Sequence, residues 1–255
     1  LRHSAMHQRE HILGLPFFAD KLPKALNRLK EGGLLTAPAA PALVNLGYDG
    51  TYTAALLASD IILADSGLMV VQWFLMKRRR VPRISGLKLV RALLQDPQVR
   101  ATRGAFWVKP SEEAAKRTQA WLRGKGIAAE KKDFYVAPIY PSKGIIRDET
   151  LLKHIEARKP AYIFINIAGG KQEILGHMLK RKLSYTPAII CTGAAIAFLT
   201  GEQAYIPIWA DRFALGWLLR CIHSPKTFCK RYLKALKFIP ILLRNRERMP
   251  QHGRH

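Results

Sequence analysis

The segment Ala161–Glu173, AYIFINIAGGKQE, is the clearest indication of the fold in this sequence. Its first seven residues are mostly apolar, which is typical of a strand buried in a parallel sheet. The following Ala168–Glu173 predicts a loop that leads into a helix. In open α/β sheets, ligands bind beyond the carboxyl ends of strands, where helix N-termini present amides to anions. The loop therefore favours a phosphate-bearing ligand near Gly169, Gly170 and the polar Lys171, Gln172 and Glu173, although a glycine pair also occurs in plain turns.

Further apolar runs alternate with helical stretches along the chain, and this alternation predicts an α/β fold with a mostly parallel sheet. The predicted strands are Leu34–Thr36, Ile61–Ala64, Ala105–Val108, Phe134–Ala137 and Ala188–Thr192. The predicted helices cover Phe18–Lys30, a segment that starts at Ser111, Asp148–Arg158 and a segment that starts at Gln172. No segment predicts a spanning helix, because the best candidate, Leu56–Met76, contains Asp60 and Asp65.

Charge is the most unusual global property of the sequence. The 255 residues carry a formal net charge of +24, and 49% of them are hydrophobic. This apolar content is enough for a real core, and the length fits one large α/β domain with an appendage or two small domains. The positive charge predicts a polyanionic partner, which is nucleic acid, an anionic membrane or a phosphorylated substrate.

Composition changes near Ala210, which divides the chain into a predicted domain at 1–210 and a basic appendage at 211–255. Glu247 is the one acidic residue after position 211. Aromatic and aliphatic residues recur at helical spacing beside a lysine stripe, at Phe228, Tyr232, Leu236, Ile239 and at Lys226, Lys230, Lys234, Lys237. This pattern predicts a basic amphipathic helix that lies on an anionic membrane or packs on the domain. The run Lys77–Arg80 has the same alternatives, together with a solvated loop or a nucleic-acid patch.

Two polar residues end predicted strands and are candidates for chemistry. A carboxylate at Asp65 would face the ligand crevice and act as a general base, or it would cap the next helix. Thr36 ends another strand and would lie in the same crevice, or it is only a strand-forming residue. Thr192 and Gly193 end the last strand with small residues, which suit a ligand or a closely packed helix.

Several kinds of site lack their sequence patterns. Cys191, Cys221 and Cys229 show no zinc-site spacing and predict reduced thiols, with Cys191 in the core. The histidines form no metal-binding pattern, and there is no DxD, GxSxG, Walker A or GxGxxG motif. These absences disfavour metal catalysis and the hydrolase, NTPase and dinucleotide-binding classes.

Taken together, these motifs resemble the WecG/TagA/CpsF family of bacterial glycosyltransferases. The resemblance runs from about Leu34 to Pro240 and includes several separate motifs in register. The segments that carry it are Leu34–Thr36, Ala55–Gly67 (ALLASDIILADSG), Ile165–Glu173 (INIAGGKQE), Thr192–Gly201 (TGAAIAFLTG) and Ile206–Tyr232.

The resemblance implies a Rossmann-like domain with helices on both faces of the sheet and a C-terminal appendage that touches the membrane. It implies metal-independent transfer of a sugar, commonly of the N-acetylmannosamine type, from a UDP donor to a polyprenyl-diphosphate-linked acceptor, and we predict that this transfer is inverting. The protein would work at the inner face of the cell membrane, without a cofactor, and would self-associate. By position, Thr36 matches the family threonine, Asp65 the proposed base and Gln172 a donor-site residue, while Arg220 and Arg231 match arginines that reach the active site or phosphates.

The sequence also departs from the family pattern at several positions. Pro38 stands where asparagine is usual, Gly170 replaces a proline, and Ala197 replaces an aspartate. Lys88 and Gly216 occupy positions where acidic residues are common. Two alternatives therefore remain beside the enzyme: an inactive relative that acts as a scaffold, and a basic nucleic-acid-binding protein.

Overall fold

One eight-stranded sheet organises the computed structural model, which describes residues 8–141, 144–203, 207, 219, 221–222, 225, 233 and 235–251. The strands are β1 Arg9–Ile12, β2 Leu15–Phe18, β3 Gly33–Thr36, β4 Ile61–Ile62, β5 Ala105–Lys109, β6 Phe134–Val136, β7 Tyr162–Ile165 and β8 Ala188–Cys191. Their spatial order is β1-β2-β4-β3-β8-β7-β5-β6, and every neighbouring pair is parallel except the β1–β2 hairpin. The predicted mostly parallel α/β sheet is confirmed.

Helices cover both faces of this sheet. They are α1 Leu22–Leu29, α2 Ala40–Leu43, α3 Gly50–Leu57, α4 Gly67–Lys77, α5 Gly86–Leu93, α6 Pro97–Arg100, α7 Glu112–Gly124, α8 Glu149–Arg158, α9 Lys171–Lys182 and α10 Phe238–Asn245. Short 3-10 turns span Lys131–Asp133 and Gly193–Phe198. Ser111 and Asp148 cap α7 and α8 with side-chain hydrogen bonds, as the sequence predicts.

Alternation of side chains along the strands gives the sheet two buried faces. Residues such as Leu34, Ile163 and Ile189 pack with α3, α4 and α9, whereas Leu35 and Phe164 pack with α1, α5 and α7. Helix α9 lies very close to the sheet at Gly176, where a Cβ atom would come within 2.8 Å of Leu34 and 2.9 Å of Cys191. This close packing fixes the start of α9 relative to the carboxyl ends of β3 and β8.

The N-terminal part of the chain differs from the prediction. The helix expected over Phe18–Lys30 begins only at Leu22, and the residues before it form the hairpin of β1 and β2. The hairpin turns through Leu13 and Gly14, which both have positive φ. Phe18 therefore ends a strand because β2 pairs with β4 at the sheet edge, a tertiary contact that local helical periodicity does not reveal.

Two membrane-related expectations concern the basic appendage and a helix that would span a membrane. About half of the proposed appendage at 211–255 lies outside the described residues, including Phe228 and Tyr232 of the apolar stripe and Lys226, Lys230 and Lys234 of the lysine stripe. Of its described part, α10 packs Phe238 and Leu242 into the main core. Within the described residues, no helix combines the length and apolar character needed to cross a bilayer.

Candidate active site

The sheet order brings the sequence-predicted site residues to one edge. Strands β4, β3, β8 and β7 are neighbours, and their carboxyl ends lead to Asp65, Thr36, Thr192 and the loop before α9. Strand β3 is followed by β4 on one side, and β8 lies on its other side, which is the place where open α/β sheets form a ligand crevice. Residues that are up to 157 positions apart in sequence, from Thr36 to Gly193, therefore meet at this edge.

Asp65 is half-buried just beyond β4, and it does not serve as the cap of α4. The cap is Ser66, whose hydroxyl accepts a hydrogen bond from the Met69 amide at 3.2 Å. One carboxylate oxygen of Asp65 accepts instead from the amide of Gly86, the first residue of α5, at 3.2 Å. A helix N-terminus carries partial positive charge, so this contact places the Asp65 carboxylate at the favourable end of the α5 dipole.

Arg83 fixes the backbone around Asp65. Its Nε donates to the carbonyl of Asp65 at 2.9 Å, which joins the loop before α5 to the end of β4. The Ser85 hydroxyl caps α5 by accepting from the Lys88 amide at 3.0 Å. The base candidate is therefore held by a capped helix and by a backbone contact, whereas its side chain keeps part of its surface exposed.

Thr36 is fully buried at the end of β3. Its hydroxyl donates to the Ser59 hydroxyl at 3.1 Å, and Ser59 in turn donates to the carbonyl of Ala55 on α3 at 3.0 Å. This chain of hydrogen bonds ties β3 to the end of α3. The geometry suits a residue that positions the strand end, because a side chain without exposed surface does not touch a ligand in this state.

The loop before α9 uses its own amides rather than presenting them. Gly170 has a φ of 90°, a conformation that favours glycine, and its amide donates to the Glu173 carboxylate at 2.6 Å. The amides of Lys171 and Gln172 both donate to the carbonyl of Ala168 at 3.2 Å. In this structure the Gly170 amide is therefore occupied within the loop, and Glu173 caps its own helix through that amide.

Gln172 connects this loop to the end of β8. Its Oε1 accepts from the Gly193 amide at 2.8 Å, and its Nε2 donates to Glu173 at 3.0 Å. The carbonyl of Gly193 accepts from Nδ2 of Asn166 at 3.1 Å, so both backbone polar groups of Gly193 are held by buried side chains. The two loops that follow β7 and β8 therefore form one rigid unit.

Burial dominates the electrostatics beneath this unit. Burial raises the pKa of Glu173 above its usual value, although hydrogen bonds from Gln172 and Gly170 oppose the shift. The pKa values of the Tyr52 hydroxyl and the Cys191 thiol are raised by burial first and by the nearby Glu173 carboxylate second. Cys191 is buried and donates to the carbonyl of Gln172 at 3.2 Å, so its predicted place in the core is confirmed.

Two buried oxygen atoms at this edge lack hydrogen-bond partners within the described residues. They are Oδ1 of Asn166 and Oγ1 of Thr192, whose side chains are at least nine-tenths buried. Because Nδ2 of Asn166 binds a carbonyl, its Oδ1 is fixed as an acceptor. Thr192 also packs on Gly86, the first residue of α5. A Cβ atom added at Gly86 would lie 3.1 Å from the Cβ of Thr192. The Gly86 amide that binds Asp65 is thus next to Thr192.

Sequence patterns did not single out Asn166 or a buried ion pair at β5. The register aligns Val108, Ile165 and Cys191, so the following residues Lys109, Asn166 and Thr192 form one polar row across three strands. Lys109 is almost fully buried, and its ammonium lies 3.5 Å from Glu202. Burial lowers the pKa of Lys109, and the Glu202 carboxylate opposes that shift. One signal was available, because each of these polar residues ends an otherwise apolar strand.

The remaining predicted residues have mixed positions. Arg220 and Arg231 lie outside the described residues, as does Gly216. Lys88 is exposed on α5, whereas Ala197 is buried in the 3-10 turn after β8. Across the parts of the chain that the structure describes, no three His, Cys, Asp or Glu side chains gather as a metal site requires.

Comparison with known proteins gives one clear result. The family model described as "Glycosyl transferase WecG/TagA/CpsF family" matches residues 10–252, nearly the whole chain. No curated protein matches the sequence. The family match extends over every strand from β2 to β8 and includes the edge at which Asp65, Thr36 and Gln172 meet. On this match and this fold, the chain belongs to the WecG/TagA/CpsF family of glycosyltransferases.

Proposed function

We propose that this protein transfers a sugar of the N-acetylmannosamine type from a UDP donor to a polyprenyl-diphosphate-linked acceptor in cell-surface polysaccharide biosynthesis. Family membership supports the transferase reaction. The structural observation that carries the proposal is the position of Asp65, which is half-buried at the carboxyl edge of the sheet and held by the N-terminus of α5. This placement puts a carboxylate, the group that a general base requires, in the crevice where such folds bind ligands.

The proposed reaction is a direct, inverting displacement at the anomeric carbon. Asp65 accepts the proton of the acceptor hydroxyl while that oxygen forms its bond to the anomeric carbon. The bond between that carbon and the phosphate oxygen breaks, and its electron pair leaves with UDP. General-base assistance of this type is typically worth about 10²–10⁴-fold in rate. The reaction in this proposal needs no metal ion or cofactor.

The donor is proposed to bind at the unit formed by the loops after β7 and β8. This unit contains the proposed donor-site residues Gly169, Gly170, Lys171, Gln172, Glu173, Thr192 and Gly193. The buried acceptors on Asn166 and Thr192 are available to an N–H or O–H group of the donor. A ligand that supplies those hydrogen bonds removes the cost of leaving them unmade. Gln172 and Glu173 act by fixing the loops, while Lys171 is half-buried and brings a cation to the leaving phosphate.

The positive charge of the protein supports the proposed acceptor binding and the proposed location at the membrane. Arg220 and Arg231 are proposed to bind the diphosphate, on the sequence match alone, because they lie outside the described residues. The net charge of +24 suits the inner, anionic face of the cell membrane as well as the diphosphate substrates. Self-association also remains part of the proposal, whereas nucleic acid is not a proposed partner.

The test is a UDP-release assay with a panel of UDP-N-acetylhexosamines and a short-chain prenyl-diphosphate-linked N-acetylglucosamine acceptor. We expect release that requires both the acceptor and one donor of the panel, and that disappears when Asp65 is replaced by asparagine. Omission of the acceptor is the matched control for simple donor hydrolysis. Absence of release from folded protein that still binds UDP in calorimetry would favour the inactive scaffold, and tight salt-dependent binding to oligonucleotides would favour the nucleic-acid alternative.

A further inference from the structure

Helix α4 is apolar on its exposed side as well as on its buried side. Its sequence is GLMVVQWFLMK. The polar Gln72 points inward, where its Nε2 donates to the carbonyl of Ile239 on α10 at 2.9 Å. The apolar Leu68, Val71 and Leu75 point outward and are 39, 57 and 62% exposed. A helix at a water-facing surface normally has its charged and polar residues on that side.

The three exposed residues form one continuous stripe. Their spacing of three and four positions places them on a single face of α4, opposite the buried Met69 and Trp73. From Leu68 to Leu75 the stripe is about 10 Å long at the usual helical rise. Contiguous exposed apolar residues of this kind indicate a contact surface, whereas exposed apolar residues that are scattered singly are normal.

Basic residues lie at one end of this stripe. The helix ends at Arg78, which adopts a left-handed conformation with a φ of 55°, and Arg78, Arg79 and Arg80 are all exposed. The Arg80 guanidinium lies 5.5 Å from the centre of the Phe74 ring. An apolar face bordered by arginines matches the boundary between acyl chains and anionic headgroups in a bilayer.

We propose that the stripe Leu68, Val71 and Leu75, together with Arg78–Arg80, inserts into the surface of an anionic lipid bilayer. The biological role of this contact rests on the proposed function. Because α4 begins two residues after Asp65, a membrane-bound α4 would hold the proposed base near the lipid-linked acceptor. A second copy of the chain is a poorer occupant, since it would bring another arginine run and another +24 charge against the first. Nucleic acid would neutralise the arginines but would leave the stripe exposed.

The experiment measures binding of the full chain to vesicles by flotation, with phosphatidylglycerol-containing vesicles and purely phosphatidylcholine vesicles compared. The variant V71Q/L75Q removes the stripe at positions that are already exposed, so the fold is retained and a thermal melt verifies it. The control is I139Q/I145Q, which makes the same chemical change at the exposed Ile139 and Ile145 between β6 and α8. We expect V71Q/L75Q to lower the partition coefficient about tenfold, and the control to leave it unchanged.

A second variant tests the charge. R78Q/R80Q is expected to weaken binding to the anionic vesicles by about fivefold for each arginine and to leave phosphatidylcholine binding unchanged. Equal vesicle binding by wild type and V71Q/L75Q would overturn the proposal. If V71Q/L75Q instead shifted the sedimentation of the protein to a smaller species without affecting vesicles, the face would be an interface between copies.

Failure of the proposed function has a separate signature. Wild type that floats with anionic vesicles but transfers no sugar would refute the proposed reaction and retain the membrane face. Conversely, transfer to a short-chain acceptor in solution is expected to be the same for V71Q/L75Q and wild type. Transfer to a long-chain acceptor in vesicles is expected to fall with the partition coefficient.

Discussion

The two halves of the candidate site, at the ends of β7 and β8 and at the end of β4, differ in how far their polar side chains are buried. On the β7–β8 side, Asn166, Gln172 and Glu173 are buried and bind each other or the adjoining glycines at 2.6 to 3.1 Å. On the β4 side, Asp65 is half-buried, and its carboxylate accepts from Gly86 at 3.2 Å. The difference indicates separate roles for the two halves. A rigid half suits binding and orientation of the substrate, whereas a partly exposed carboxylate suits proton transfer.

The largest expected effect comes from Asp65→Asn, because it removes the proposed general base and keeps the shape of the side chain. Asparagine keeps the shape of the side chain and an oxygen that accepts from Gly86, but it accepts no proton. We expect turnover to fall by about 10²–10⁴-fold while UDP affinity stays within about twofold. Acceptor-dependent UDP release measures the first quantity, and calorimetry measures the second.

Asp96→Asn is the matched control for this variant. Asp96 caps α6 through the Gln98 amide, and asparagine is an equally good cap, so turnover and stability should both remain close to wild type. If Asp65→Asn weakened UDP binding as strongly as turnover, the division between a binding half and a chemical half would be wrong.

The next largest effect is expected on the rigid half, at Glu173. Replacing it by alanine leaves the Gly170 amide and Nε2 of Gln172 without their partner. We expect the free energy of unfolding to fall by about 2 kcal/mol, since each unmet buried group costs about 1–3 kcal/mol and relief from burying the carboxylate offsets part. Urea denaturation measures this change.

The same carboxylate should also make stability depend on pH. Because burial raises the pKa of Glu173 in the folded state, the folded protein binds the proton more tightly than the unfolded chain. Wild type therefore loses stability as pH rises from about 4.5 through the raised pKa, whereas Glu173→Gln does not. The stability difference between the two proteins, measured by urea denaturation at several pH values, should change over that window. A difference that is constant with pH would show that Glu173 is not held in this way.

Sequence patterns predicted the frame of the molecule better than its polar interior. The strand ending at Ile165 and the helix caps at Ser111 and Asp148 follow from local signals that tertiary contacts did not override. The hairpin β1–β2 was missed, because its place depends on pairing with β4, which is distant in sequence.

The candidate site shows the same limit. The positions of Asp65 and Gln172 at strand ends follow from strand order, but the hydrogen bonds around them do not. That Ser66 rather than Asp65 caps α4 depends on side-chain direction in the connection between β4 and α4. That the Gly170 amide turns to Glu173 depends on a φ of 90°, which a glycine permits but does not require.

A smaller effect, of opposite sign for stability and binding, is expected at Thr192. Its hydroxyl is buried without a partner in the described part of the chain, so Thr192→Val removes a polar group that burial does not compensate. We expect stability to rise slightly or stay unchanged, while UDP-sugar affinity falls about five- to tenfold if that hydroxyl meets the donor.

Thr118→Val is the control for Thr192→Val. The Thr118 hydroxyl donates to Glu202 at 3.3 Å, so its loss should reduce stability by about 1 kcal/mol and leave donor affinity unchanged. Urea denaturation and calorimetry separate the two outcomes. Unchanged donor affinity in Thr192→Val would remove the β8 end from the binding half.

The smallest effect is expected at Thr36, which ends β3 beside β4. Thr36→Val breaks the hydrogen bond to Ser59, and Ser59→Ala breaks that bond together with the one from Ser59 to Ala55. Because Thr36 is fully buried, we expect both variants to lower the free energy of unfolding by about 1 kcal/mol and to reduce turnover equally, by less than tenfold. Equal losses mean that the threonine acts by positioning the end of β3. A much larger loss of turnover in Thr36→Val than in Ser59→Ala would mean that the Thr36 hydroxyl reaches the substrate. The end of β3 would then open further during the reaction than the structure shows.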